Sequence, residues 1–253
     1  MNSKYLLLLL VLVVSSCATK KEVLYLQDAN ENNSAQINYQ ETTIQPNDIL
    51  KIDVETLVPE ASAPYNQGPQ NSSQLANLQL LQLKGYLVSN EGTISFPVLG
   101  KIEVGSLKID EAEDKIKEEL VSGGHLNDPK VRVRIVNAKV TVLGEVTSPG
   151  TFTFTEQNIT ILQALGYAGD LTINGKRDDI IVTRDVDGVR QITHIDITNT
   201  EFMNSEFYYI KPNDVIIVNP NNPKVTSAGY ISNIPTLLGV GSIVLTSIIL
   251  LTR

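Results

Sequence analysis

The sequence predicts an α+β protein: small mixed-sheet domains followed by a C-terminal transmembrane α-helix. Three observations carry this. Short runs of alternating apolar and polar residues, bounded by Pro, Gly, Asn and Asp, recur through residues 44–219. Two stretches of helical period interrupt them, so strands and helices share each domain. Residues 231–251 then carry no charge over 21 positions, about the length that crosses ~30 Å of hydrocarbon.

At 253 residues, 42% of them hydrophobic, the chain can bury a core in one or two domains. The formal charge of −8 argues against nucleic acid as a partner. The one basic run, Lys130 to Arg134, alternates with valines and reads as one face of a strand.

The elements follow in order. Lys4, an apolar run over residues 6–14 and the small pair Ser15-Ser16 make residues 1–16 a signal peptide. The only cysteine, Cys17, stands at the cleavage point. Val14-Ser15-Ser16-Cys17 resembles the bacterial lipobox, so Cys17 is expected to carry acyl chains such as palmitate and to anchor the mature chain. The alternative is a signal peptide with an incidental cysteine. With its one thiol so used, the mature chain has no internal disulfide. Residues 17–43, polar and rich in Asn and Gln, read as a lipidated tether.

A first unit spans residues 44–137. Gln45-Pro46-Asn47-Asp48 is a turn, and residues 50–54 alternate as a half-buried strand. Residues 58–83 are a polar excursion that ends in a short helix. A hairpin is expected between 86–89 and 93–97, turning at Asn90-Glu91-Gly92, with a further strand over 99–105. A helix follows, with Asp110 and Glu113 as a capping box, Ala112, Ile116 and Leu120 as its apolar stripe, and Gly123-Gly124 as its stop. Residues 130–135 close the unit as a strand.

A second unit spans residues 138–219. Residues 140–146 and 150–154 form a hairpin around Ser148-Pro149-Gly150. Asn158 or Thr160 caps a helix over 161–167, which Gly169 ends. Residues 180–184 and 189–195 form a second hairpin, turning at Asp187-Gly188. Lys211-Pro212-Asn213-Asp214 then repeats the earlier turn. Residues 220–230 are a Pro/Asn-rich linker, and 231–251 are the membrane helix. On that helix Ser232, Thr236, Gly239, Ser242 and Thr246 share one face about 120° wide at 100° per residue. Such a stripe suits packing against other helices or a lining wetter than lipid. A buried core helix is the alternative.

Two phrases carry a family resemblance. Gly92-x-Ile94-x-Phe96-Pro97-x-Leu99-Gly100-x-Ile102-x-Val104-x-Ser106, with the acidic helix and Val-rich strand after it, resembles the export domain of bacterial polysaccharide-export outer-membrane lipoproteins. Val142-x-Gly144-Glu145-Val146-x-x-Pro149-Gly150, with a helix ending at Ala168-Gly169, resembles the soluble-ligand-binding β-grasp domain of the same family. Asp48, Gly92, Pro97, Gly100, Gly144, Pro149, Gly150 and Gly169 are the positions that carry the likeness. Asp170 stands where that family often has a second glycine. The resemblance implies an outer-membrane lipoprotein with its body in the periplasm, assembled as a homo-oligomeric ring, often of eight. It implies terminal helices that form a barrel, and capsular or extracellular polysaccharide passing through. An inner-membrane polysaccharide co-polymerase and tyrosine kinase is the implied partner.

No catalytic constellation accompanies these features. His125 and His194 lack metal-ligand spacing, and neither a nucleophile motif nor a Walker loop is present. Asp178-Asp179 and Asp185-x-Asp187-Gly188 lack the ligand set of a calcium loop. The expectation is a non-enzyme without metal or cofactor. The rival reading is a monomeric glycan-binding envelope lipoprotein without a pore.

Overall fold

The computed structural model describes residues 20–29, 41–66, 82–186, 188–228 and 234–251. Strand β1 (Ile49–Glu55) lies at the centre of the first sheet, after the Pro46-Asn47-Asp48 turn. Short helix α1 (Pro59–Ser62) leads away from it. Strand β2 (Tyr86–Leu87) pairs with β1, while β3 (Thr93–Phe96) pairs with β4 (Gly100–Glu103). Helix α2 (Ile109–Ser122) and strand β5 (Lys130–Ile135) complete the domain, and the sheet order is β2-β1-β5. The inward residues of β1, Leu50, Ile52 and Val54, meet the buried Ala112, Ile116 and Leu120 of α2 in one core. Each such large side chain contributes roughly 1.5–3 kcal/mol.

Two expectations are corrected here. The hairpin expected between 86–89 and 93–97 is only a turn, closed by Ser89 and Thr93. Its arms separate because β2 finds β1 and β3 finds β4, long-range pairings invisible to local pattern. The capping box also sits two residues early. Helix α2 begins at Ile109, and the Glu111 carboxylate accepts from the Lys108 amide at 2.9 Å. That frees Glu113 to accept from the Val133 amide on the open edge of β5, at 2.8 Å.

The second domain comprises β6 (Lys139–Gly144), β7 (Gly150–Thr153), β8 (Ile159–Thr160), α3 (Ile161–Tyr167), β9 (Gly175–Val186), β10 (Val189–Ile195), β11 (Tyr209–Ile210) and β12 (Val215–Pro220). Its main sheet runs β10-β9-β12-β6-β7, with β12 parallel to β6 and the other pairs antiparallel. Thr160 caps α3: its hydroxyl accepts from the Gln163 amide at 3.2 Å, and its own amide donates to the Gln163 side-chain oxygen at 2.8 Å. Ile161, Ala164 and Leu165 of α3 pack on Val140, Val142, Ile180, Val182 and Ile216. Gly144 sits at φ +92°, and a Cβ there would lie 2.0 Å from the Val218 carbonyl oxygen. The β6–β12 contact therefore needs a glycine.

Residues 20–29, read from the sequence as tether, pack on this second domain. Leu26 and Gln27 donate backbone hydrogen bonds to the Ile197 and Thr198 carbonyls at 3.2 and 2.7 Å. The Asp28 carboxylate accepts from the amide and hydroxyl of Thr200, both at 2.8 Å.

After β12 come α4 (Asn222–Ser227) and α5 (Ile234–Leu251). The expectation of a transmembrane helix over 231–251 is overturned. Among the described residues, no helix is long and apolar enough to cross a membrane. Helix α5 has 18 residues, which at about 1.5 Å per residue reach ~27 Å, short of ~30 Å of hydrocarbon. Residues 231–233 of the expected span lie outside the described residues. A charge-free run does not fix how long a helix forms, and reach follows from the 18 residues of α5.

Candidate functional site

The two domains meet at a linker that is bonded along its whole length. Val136 donates to the Ile49 carbonyl at 2.9 Å. The Asn137 side chain takes the Ile49 amide at 2.8 Å and donates to the Asn47 carbonyl at 2.9 Å. From the other side, Asn213 donates to the Lys139 carbonyl at 2.7 Å, and Thr141 donates to the Asp214 carbonyl at 3.0 Å. So the two Pro-Asn-Asp turns, far apart in sequence, grip one linker from opposite domains. Both turns hold their Asn in the left-handed region, Asn47 at φ 71° and Asn213 at φ 70°. In both, the Asp side chain accepts an amide three residues back, from Gln45 at 2.9 Å and Lys211 at 2.8 Å.

Beside the linker lies a cleft of about 290 Å³. Ile109, Val133, Ile135, Phe154 and Pro212 give it apolar walls, and Thr42, Arg134 and Gln157 contribute polar groups. Its volume is at the low end of small-molecule sites.

The two aspartates differ electrostatically. Asp214 is buried against Arg184, which donates from Nε at 3.0 Å and from Nη2 at 2.7 Å. Arg184 also donates to the Tyr209 carbonyl and stacks over the Phe207 ring, 4.5 Å from its centroid. Burial pushes the Asp214 carboxyl above its ordinary value, and Arg184 works against that rise. Asp48 is equally buried with the Gln45 amide as its donor, and burial pushes its pKa up to about 6.

A second buried arginine, Arg177, lies under the N-terminal segment. Its Nη1 donates to the Gly175 carbonyl at 2.9 Å, and the Tyr25 ring covers the guanidinium at 5.2 Å. Tyr25 donates its hydroxyl to Asp170, and burial is the main reason its pKa rises to about 12. Asp170 itself sits at φ 70°. The residue that departs from the family's glycine thus keeps the left-handed backbone and adds an acceptor for Tyr25. Sequence reasoning missed Arg177 and Arg184. The signal for Arg184 was its phase: it follows Ile180 and Val182 on the inward side of β9 and so demands a buried acid.

The sequence-predicted positions fall into separate groups. Between Gly144 and Pro149-Gly150, Thr147 packs on Gly169 and Ser148 donates to the Ala168 carbonyl, while Gly144 lies against Val218. Gly92, Pro97 and Gly100 frame the β3–β4 hairpin in the other domain. Cys17 and Ser232 lie outside the described residues, and Thr236 falls in the first turn of α5. Gly239, Ser242 and Thr246 share an exposed face of α5, where Ser242 donates to the Gly239 carbonyl and Thr246 to the Ser242 carbonyl. His194 pairs with Asp179, while His125 stands edge-on to Tyr65. Among the described residues, no group of three or more His, Cys, Asp or Glu is placed to hold a metal ion.

Two α+β modules in series, locked by a shared linker, define a tandem-module protein organised around its junction. Comparison with known proteins assigns the modules. The family model described as "Polysaccharide biosynthesis/export protein" matches residues 36–136, and that for the SLBB domain matches residues 139–193. The chain is also similar to the "EPS I polysaccharide export outer membrane protein EpsA" of Ralstonia solanacearum, at 34% identity over 104 residues. The protein of the same name from Ralstonia nicotianae gives 34% over 106 residues. Each alignment covers 40% of this chain and 27% of the relative, so the chain spans little more than a quarter of those relatives. The chain thus carries a match to the polysaccharide biosynthesis/export model followed directly by one to the SLBB domain.

Proposed function

We propose that this protein takes part in polysaccharide export at the outer membrane, as a lipid-anchored ring of identical subunits around the passing polymer. The observation that carries the proposal is the order of the two modules, export domain then SLBB domain, on two locked folds. The names of the Ralstonia relatives support the outer-membrane setting. The polymer is capsular or extracellular polysaccharide, and an inner-membrane co-polymerase and tyrosine kinase delivers it.

Cys17 is the proposed anchor. Lys20 follows three positions later and already belongs to the segment docked on the second domain. At about 3.5 Å per residue, the slack is only ~10 Å. The anchor would therefore hold the second domain at the membrane surface, with the first domain extending away. Deletion of the gene should leave polymer synthesis intact and trap product in the periplasm. Cys17→Ala should release the protein from the outer membrane and give the same defect. Normal surface polysaccharide in the deletion strain would overturn the reading.

The junction cleft favours a second reading, a monomer that holds a short glycan between its domains. The mass of the detergent-extracted particle separates the two, since a ring excludes it.

A further inference from the structure

The first domain is a two-layer slab with opposite charge on its outer faces. Helix α2 turns Ala112, Ile116 and Leu120 into the core, and Asp110, Asp114 and Glu118 stand exposed at four-residue intervals on the far side, with Glu111 beside them. The opposite surface of the slab is the outward face of β1 and β5. There Lys130, Arg132 and Arg134 form an exposed row on the edge strand, paired in register with Glu55, Asp53 and Lys51. Arg132 is bridged to Glu55, and Lys51 to Asp53. Lys130 and Arg134 make no ion pair among the described residues, and Lys51 stands directly across from Arg134. Like charges opposed across a ladder are destabilising, so this corner favours an anionic partner.

The spacings of the two rows match. Four helical residues rise ~6 Å, and two strand residues ~6.6 Å. Three acids thus cover ~12 Å of helix, and three bases ~13 Å of strand. Helix α2 runs antiparallel to β5, with Glu113 beside Val133 and Lys117 beside Asp128, so a ring step that nearly keeps orientation sets Asp110 against Arg134 and Glu118 against Lys130 of the next copy. The half-buried Lys117 flanks the acidic stripe but is bridged to Asp128, and the half-buried Lys115 lies about 100° from the stripe's centre.

Because the faces lie on opposite sides of one module, their union is heterologous, and repetition closes a ring or grows a filament. We infer that the acidic face of α2 in one copy docks on the basic face of β5 in the next. This rests on the ring reading above and supplies its contact.

The test is the assembly state of the full lipidated chain in detergent, read by light scattering. The wild-type chain should be oligomeric and dissociate as salt rises from about 50 mM to about 1 M. Asp110→Lys with Glu118→Lys should weaken association about a hundredfold, and so should Lys130→Glu with Arg134→Glu. All four substitutions in one chain should restore assembly, because the faces are complementary again. Circular dichroism checks folding. If a reversed chain fails to fold, Asp110→Asn with Glu118→Gln serves instead and should weaken association about tenfold. A monomeric wild-type chain overturns the ring reading and this contact with it. An oligomer whose reversed chains assemble unchanged overturns this contact alone. A fourfold chain that folds but stays apart overturns the pairing of the two rows.

Discussion

Asp48 and Asp214 occupy the same position of the same turn, yet Arg184 accompanies only Asp214. A carboxylate buried with one amide donor is desolvated without a compensating charge, so its protonated form is favoured in the fold. Its pKa of about 6 against an ordinary 3.8 means that folding favours proton uptake at this site. The cost is absent below about pH 4, grows as pH rises, and is complete above about pH 6, where it is on the order of 2–3 kcal/mol. Asp48→Asn keeps an oxygen to accept the Gln45 amide and removes the charge. The variant should melt higher than wild type at pH 7.5 and match it at pH 4. Equal melting at both pH values would show that Asp48 carries no such cost. Arg184→Met does the reverse to Asp214, leaving a buried charge unpaired, and should destabilise the second domain by about 3–5 kcal/mol in denaturant titrations at neutral pH. Loss below about 1 kcal/mol would mean that the pair is not the clamp it resembles.

At the scale of elements, the strands with strict alternation were legible, β1 and β5 among them, because one buried face imposes a period of two. So were both Pro-Asn-Asp turns and α3 with its Thr160 cap, since their signals are local. The parallel partnership of β12 with β6 was not legible, nor was the split of the expected hairpin into β2 on β1 and β3 on β4. These are choices among distant strands of similar composition. Most opaque was the N-terminal segment. Its polar residues read as solvated chain, but Tyr25 needs Arg177 and Asp170, and Asp28 needs Thr200, all more than a hundred residues away. Tyr25→Ala should remove the cover from Arg177 and loosen the Leu26–Ile197 and Gln27–Thr198 hydrogen bonds. Hydrogen exchange at Leu26 and Gln27 should quicken by about tenfold, with the first domain unchanged. Unchanged protection there would mean the backbone bonds alone hold the segment. The C-terminal helix failed in the other direction: its lack of charge was plain, but its helical length was not fixed by composition.

For the whole molecule, the twice-used turn matters more than either domain. The angle between the two domains is set between residues 136 and 141, where both turns bond the linker. Asn137 is the pivotal side chain. It bonds Ile49 and Asn47 of the first domain, while two residues on, Lys139 accepts from Asn213 of the second. Asn137→Ala deletes both side-chain bonds and leaves the Ile49 amide without its acceptor in a partly buried site. That should cost about 1–3 kcal/mol locally and leave both cores intact. The larger effect should be on the angle between domains. Spin labels on cysteines introduced at the exposed Leu57 and Ile192, in a Cys17→Ser background, report that angle as a distance distribution. Asn137→Ala should broaden the distribution, lower the first domain's stability by about 1–3 kcal/mol and leave the second domain's melting unchanged. A narrow distribution in the variant would show that the Asn213–Lys139 and Thr141–Asp214 bonds suffice, and would move the control of geometry wholly to the second turn.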